Sequence, residues 1–211
     1  MESSKPPYVP EPAIRRLPWY LASVQRLRAQ GVEHVSSTAI SKMLNVDASQ
    51  IAKDLSYLNI KGKTRIGYEV AELECGLNDF LGFHQCHRAV MMGVGSLGRA
   101  LITDSGLSRY GLKIVAGFDV DPDVIGTEIG GTPVFDISEL KARRQALNAE
   151  IAVIAVPVEN AAEVADLCVE SGIKALWNFT PFHIKTSPEI TIENTSIYAH
   201  LALMYNRMEQ K

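Results

Sequence analysis

The chain has 211 residues, 46% of them hydrophobic and 21% charged, with a formal net charge of −3. That length can bury one or two cores, and no apolar run approaches the roughly 20 residues needed to cross a bilayer. The opening MESSKPPYVPEP has no apolar signal core, so a secretory leader is not expected.

The charge is unevenly spread. Residues 1–68 carry ten Lys+Arg against five Asp+Glu, a net +5, and residues 69–211 carry eleven against nineteen, a net −8. A basic front on an acidic body suits a polyanionic partner for the front alone. Cys75, Cys86 and Cys168 show neither CxxC nor metal-type spacing, so reduced thiols in a cytoplasm and no metal site are expected.

In chain order, the first dozen residues hold four prolines and read as a loose arm. Ile14, Leu17, Leu21, Val24 and Leu27 then fall at helical spacing. Pro18 is expected to kink or restart that helix, and Gly31 to end it. In VSSTAISKMLNVDASQIAKDLSYLN, Ser36 or Ser37 caps a short helix ending at Leu44. After the turn at Asn45-Val46-Asp47, Asp47 caps a second helix, with Gln50 completing a capping box. Ile51, Leu55 and Leu58 form its apolar face, which leaves Ser49, Gln50, Lys53 and Tyr57 largely outside. The following KGKTRIGYEV is basic, glycine-punctuated and short enough for a small β-hairpin. Helix, helix-turn-helix and basic hairpin are the order of a winged helix. Residues 69–85 read as an amphipathic linker helix ending near Gly82.

From Arg88 the pattern becomes alternating β and α: RAVMMGVG, SLGRALITDSG, KIVAGFDV, TPVFD, EIAVIAV, IKALWNF and EITIEN are strands or helices of a parallel, doubly wound sheet, closed by the helix SIYAHLALMYNRMEQK. Gly93-Val94-Gly95-Ser96-Leu97-Gly98 is GxGxxG between a strand and a helix. The second strand ends in Asp119, 21 residues past Gly98. This is the fingerprint of a Rossmann-type dinucleotide site. Gly93 permits the turn, Gly95 lets backbone approach a pyrophosphate, Gly98 lets the helix pack on the strand, and the helix N-terminus offers amides to phosphate. Asp119 suits the adenine-ribose hydroxyls, and no Lys or Arg follows in Val120-Asp121-Pro122, so NAD(H) is favoured over its 2′-phosphorylated form. Val156 and Pro157, and Asn178, Phe179, Thr180 and Pro181, end later strands and are candidates for the nicotinamide half.

No catalyst stands out. A hydride-transfer enzyme needs a proton donor beside the nicotinamide. Of His34, His84, His87, His183 and His200, only His183 follows a cleft-facing turn, and it reads as a surface-loop residue. The roughly thirty residues after the sheet are too few for a substrate domain. The organisation expected is therefore 1–85 winged helix and linker, 86–195 nucleotide-binding domain and 196–211 terminal helix. An NAD-dependent oxidoreductase with an accessory domain, and a DNA-binding protein whose second half only dimerises, are the competing readings.

With VSSTAIS, KDLSY, RIGYEV, FDVDPDVIG followed by IGGTPV, VIAVPVENAAEVAD and LWNFTP in place, the chain resembles the Rex redox-sensing repressors from about Ile14 to its end. The resemblance implies a cytoplasmic bacterial homodimer that binds palindromic double-stranded operators when NADH/NAD+ is low and is released by NADH. It also implies a swapped terminal helix, Ile197 to Met208, with Leu201, Met204 and Tyr205 on its buried face. DNA contacts are then expected from Ser49, Gln50, Lys53 and Tyr57 on the recognition helix and from Lys61, Lys63 and Arg65 on the wing. The chain departs from the family at Ala52, where paired basic residues are common, and at Ser196, where an acidic residue pairs with the arginine matched by Arg16. Thr103-Asp104-Ser105 stands where some members have an aromatic, and Asp104 is expected to supply the missing acid of the switch.

Overall fold

The computed structural model describes residues 9–58 and 60–210. It divides into two compact units, Met1–His84 and Gln85–Lys211.

Unit 1 opens with α1 (Glu11–Ala29), which buries Ala13, Leu17, Tyr20, Leu21 and Val24. The proposed proline arm lies partly outside the described residues, but its last residues are already helical. Pro18 does not restart α1: the helix continues through it. The buried residues on both sides of Pro18 offset a lost main-chain bond that costs about 3 kcal/mol in an unsupported helix. After α1 come β1 (His34–Val35), α2 (Ser37–Leu44), α3 (Ala48–Ser56), β2 (Tyr68–Glu69) and α4 (Val70–Leu81). Ser36 caps α2 through Ala39 N–H, and Asp47 caps α3 through Ser49 and Gln50 N–H. The capping box is not closed: the Gln50 side chain turns to Asp54, its Nε2 donating to Oδ1 at 2.8 Å.

The basic segment forms only a tight turn bridged between Lys63 and Gly67. Its continuation, β2, pairs antiparallel with β1, Val35 opposite Tyr68. Gly67 makes this close approach possible, since a Cβ there would stand 2.4 Å from the Val35 carbonyl oxygen. Leu17, Tyr20 and Leu21 of α1, Ile40, Ile51, Leu55 and Leu73 form one buried cluster. That cluster holds the two motif helices against α1 and α4.

Unit 2 is a seven-stranded sheet whose spatial order is β5-β6-β4-β3-β7-β8-β9. In chain order its elements are β3 (His87–Met92), α5 (Ser96–Thr103), α6 (Ser105–Arg109), β4 (Leu112–Asp119), β5 (Glu128–Ile129), β6 (Thr132–Asp136), α7 (Leu140–Leu147), β7 (Ile151–Ile154), α8 (Ala161–Glu170), β8 (Ala175–Asn178), β9 (Thr191–Asn194) and α9 (Ile197–Glu209). The six strands from β6 to β9 are parallel to their neighbours, and β5 adds an antiparallel edge absent from the sequence reading. The helix read across SLGRALITDSG is two helices. Asp104 divides them by accepting Gly106 and Leu107 N–H at 3.1 and 3.2 Å, which starts α6.

Side-chain alternation explains the two covered faces. Val90 and Met92 of β3 join Phe118, Leu140, Ala161 and Cys168 on one side, against α7 and α8. Ala89 and Met91 join Ile114, Leu101 and Leu107 on the other, against α5 and α6. The helix α9 differs from the rest: no residue of Ile197–Glu209 is buried, and Tyr198, Leu203, Met204, Tyr205 and Met208 are each about half exposed or more.

Candidate nucleotide cleft and nucleic-acid face

In unit 2, β3 sits between β4 and β7, so the chain leaves it to one side and returns on the other. A crevice opens at such a switch point, beyond the strand C-termini. Here it has a volume of about 440 Å³ and is lined by Gly93, Val94, Gly95 and Ser96 from the glycine loop. Asp119, Val120 and Asp121 line it after β4, and Ala155, Val156 and Pro157 after β7. A second hollow of about 650 Å³ shares Val120, Ile137, Asn160 and Val164 with it.

The loop geometry follows from two glycines. Gly93 has φ +89 and lies against the Ala155 carbonyl, and a Cβ on Gly98 would stand 2.1 Å from the Gly93 oxygen. At Gly95 no atom lies within 4 Å of where a Cβ would be, so its backbone faces open space. No side chain caps α5, which leaves its first amides available to an anion. Asp119 holds the loop from the opposite wall: Val94 N–H donates to Oδ2 at 2.6 Å, and Val120 and Asp121 N–H donate to Oδ1 at 2.8 and 3.1 Å. Leu97 is half-buried on α5 and does not line the cleft.

Arg99 was not among the sequence candidates, yet it lines the cleft, with Nε donating to the Val94 carbonyl at 3.1 Å. Its position three residues past Ser96, on the first turn of the helix that follows the glycine loop, was the available signal. The Asn178-Phe179-Thr180-Pro181 turn does not line the 440 Å³ cleft. Asn178 and Thr180 are buried. Asn178 Nδ2 donates to the Phe182 carbonyl and to Asn194 Oδ1, while its Oδ1 accepts Thr180 N–H. These bonds build the turn that joins β8 to β9. Phe179 stacks obliquely on Trp177 at 4.7 Å. Pro181 and His183 are exposed.

In unit 1, Ser49 and Lys53 lie exposed on α3, with Gln50 and Tyr57 half-buried. The Ser49 hydroxyl donates to Asp47. Lys61, Lys63 and Arg65 are all exposed on the basic turn, and Arg65 adopts φ +67 there. Behind α3, the fully buried Asp54 accepts from Arg16 Nε at 2.7 Å, Arg16 Nη2 at 2.9 Å, the Tyr20 hydroxyl at 2.7 Å and Gln50 Nε2 at 2.8 Å. Burial alone would raise the Asp54 pKa, but the donors led by Arg16 outweigh it and hold the carboxyl below its ordinary range. The Tyr20 hydroxyl is pushed up to about 12 by burial and by the carboxylate beside it. Arg16, expected in the switch, is thus engaged inside its own unit. Ser196 caps α9 through Ala199 N–H at 3.1 Å.

A winged-helix unit and a dinucleotide-type Rossmann unit on one chain define a ligand-responsive transcriptional regulator. Family profiles match both parts, one described as "CoA binding domain" over residues 84–182 and one as "Putative DNA-binding protein N-terminus" over residues 8–56. The chain is 55% identical over 200 residues to a redox-sensing transcriptional repressor Rex of Bacteroides fragilis, covering 95% of this chain and 91% of that one. It is 39% identical over 197 residues to Rex 1 of Thermotoga maritima, covering 93% and 94%. A crystal structure of RSP in complex with beta-NAD+ and operator DNA matches with TM-score 0.91 at 30% identity, over 96% of this chain and 94% of that one. The chain belongs to the Rex family of redox-sensing transcriptional repressors. These relatives are named as repressors, and the oxidoreductase reading falls to them.

Proposed function

We propose that the chain is a homodimeric repressor that binds operator DNA, takes NAD(H) in the unit 2 cleft, and leaves the DNA when NADH binds. The observation that carries the reading is the cleft at the switch point. Its glycine loop, open backbone at Gly95, uncapped α5 and Asp119 wall suit a pyrophosphate and an adenine ribose in turn. The crystal structures of RSP, a Rex-family repressor, with beta-NAD+ and operator DNA and with beta-NADH support the pairing of these two ligands in one protein.

Residues 93–96, 119–121, 156 and 157 would hold the dinucleotide, with Arg99 added to the pyrophosphate side and Gly98 holding the loop in shape. Residues 178–181 act by shaping the β8–β9 turn at the nicotinamide end. Ser49, Lys53, Tyr57, Lys61, Lys63 and Arg65 would meet DNA, with Gln50 reaching bases only if it exchanges Asp54 for them. The exposed apolar residues of α9 support docking of Leu201, Met204 and Tyr205 against a second copy. Arg16, Asp104 and Ser196 are proposed as switch residues. The site of action is the cytoplasm, where operators are met; among the described residues no helix is long and apolar enough to cross a membrane.

The test is a fluorescence-anisotropy titration on a palindromic operator from the protein's own upstream region, run without ligand, with NAD+ and with NADH. Release by NADH but not by NAD+ is expected. Tight binding that ignores NADH would overturn the sensor and leave the repressor.

A further inference from the structure

Away from the cleft, three donors of different chemistry converge at the end of α4. Cys75 Sγ, an Asp79 carboxylate oxygen and a His84 ring nitrogen all lie within 4.8 Å of one another. We infer that Cys75, Asp79 and His84 form a binding site for a divalent transition cation with tetrahedral preference, of which Zn2+ is the natural case.

The local fold produces this convergence. Cys75 and Asp79 are separated by four residues on α4, so their side chains stand one above the other on one face. That face is solvent-facing, opposite Val70, Leu73 and Leu77, which are buried. Gly82 then ends the helix with φ +72, and Phe83 N–H returns to the Asn78 carbonyl at 3.1 Å. The reversal carries His84 back over the last turn, where Nε2 comes 3.1 Å from Asp79 Oδ1. On the other carboxylate oxygen, Cys75 Sγ donates to Oδ2 at 3.5 Å.

The distances fit a metal. Zinc bonds of about 2.3 Å to sulfur and about 2.0–2.2 Å to nitrogen and oxygen give a tetrahedron with edges of about 3.3–3.6 Å. The contacts of 3.5 and 3.1 Å run to different oxygens of Asp79, and with all three donors within 4.8 Å of one another a small rotation of these exposed side chains brings them into that range. One thiolate, one imidazole and one carboxylate make a borderline-soft donor set, which selects zinc over calcium or magnesium. Three protein ligands leave a fourth position for water or a further ligand.

A bound divalent ion would take the Cys75 thiol as thiolate. The sequence reading missed the site because Cys-x3-Asp-x4-His has none of the paired-cysteine spacing of structural zinc motifs.

The experiment is a Co2+ titration of the tag-free, full-length, reduced protein, followed by back-titration with Zn2+. The expected result is one Co2+ per chain, with a thiolate-to-cobalt charge-transfer band in the near ultraviolet and intense tetrahedral d–d bands, all displaced by Zn2+. Cys75→Ser should abolish the charge-transfer band, and Cys86→Ser, the other exposed cysteine, should leave it intact. His84→Ala should weaken Co2+ binding by more than the roughly 10–100-fold that loss of an outer-shell partner costs. Because all three side chains are exposed, circular dichroism of the metal-free variants should match the parent, and His84→Ala decides the matter if Cys75→Ser fails to fold. Absence of the charge-transfer band in the parent, or a band that survives Cys75→Ser and vanishes in Cys86→Ser, would overturn the assignment.

Discussion

Arg16 and Asp54 form a two-point ion pair that ties the first helix to the recognition helix across 38 residues of sequence. Asp54 is fully buried, while the Arg16 side chain keeps 23% of its exposure. Removing the two partners is therefore not equivalent. Arg16→Ala would strand a buried carboxylate with only Tyr20 and Gln50 as donors. A loss near the lower end of about 3–5 kcal/mol is expected for the unfolding of unit 1, read from urea denaturation followed by circular dichroism. Arg16→Lys should not restore it, since one ammonium does not span both oxygens as the guanidinium does. A variant within about 0.5 kcal/mol of the parent, the ordinary range for surface changes, would show the pair to be incidental.

The same cluster sets a pH dependence at both extremes. Asp54 titrates lower folded than unfolded, where a carboxyl lies near about 3.9. Its contribution is complete above that value and is lost as pH falls through the depressed folded value. Tyr20 titrates higher folded than unfolded, so its contribution is complete below about pH 10 and is lost as pH rises through about 12. Urea midpoints measured against pH should fall at both ends. Asp54→Asn should flatten the acid limb and Tyr20→Phe the alkaline one, and parallel shifts without change of slope would contradict this.

Gly98→Ala should damage unit 2 without touching any ligand directly. The added Cβ would meet the Gly93 oxygen at 2.1 Å, a backbone atom that cannot step aside. Prying α5 from β3 should cost about 1–3 kcal/mol, as overpacking does. Calorimetry should show NADH binding weakened more than about tenfold, the equivalent of 1.4 kcal/mol. Unchanged affinity would mean that the loop does not hold the pyrophosphate.

Lys63→Glu on the basic turn should weaken DNA binding about equally for operator and unrelated sequences. It should also reduce the slope of log K against log salt by about one or more. Tight binding with an unaltered slope would remove the wing from the contact surface.

Asp104 can be separated into its two properties. Asn caps a helix about as well as Asp, whereas Ala costs about 1 kcal/mol at such a position. If the charge serves the switch, Asp104→Asn should fold like the parent but need more NADH to leave the operator. Ser196→Ala should fray the start of α9 and, as a proposed switch position, also raise the NADH needed for release. Equal NADH sensitivity in parent and Asp104→Asn would restrict Asp104 to capping.

Much of this fold was legible because it rests on local signals. Strand and helix periods, the caps at Ser36 and Asp47, the glycine loop and Asp119 each declare themselves within a few residues of sequence. What escaped was non-local. Gln50 has the spacing of a capping box, yet it faces a carboxylate whose main partner is on another helix. Pro18 has a breaker's chemistry, yet the core on either side carries the helix through it. The basic segment reads as a hairpin closed on itself, yet its outgoing strand pairs with His34 and Val35. Asn178 looks like a cleft residue because it ends a strand, while its hydrogen bonds serve the next turn. For Pro18 and the basic segment, partners distant in sequence outweighed a sound local preference.

The clasp of β1 on β2 has a mechanical consequence. Val35 and Tyr68 stand opposite each other, so the intervening chain departs and returns through a single hinge point. Within that closed ring lie both α3 and the basic turn, in a register set when the unit folds. Little ordering is left for the moment of meeting a groove, and the entropy that a loose arm would forfeit on binding is already gone. The clasp ends at Glu69 and α4 begins at Val70, so the linker helix joins the ring directly at its closed base.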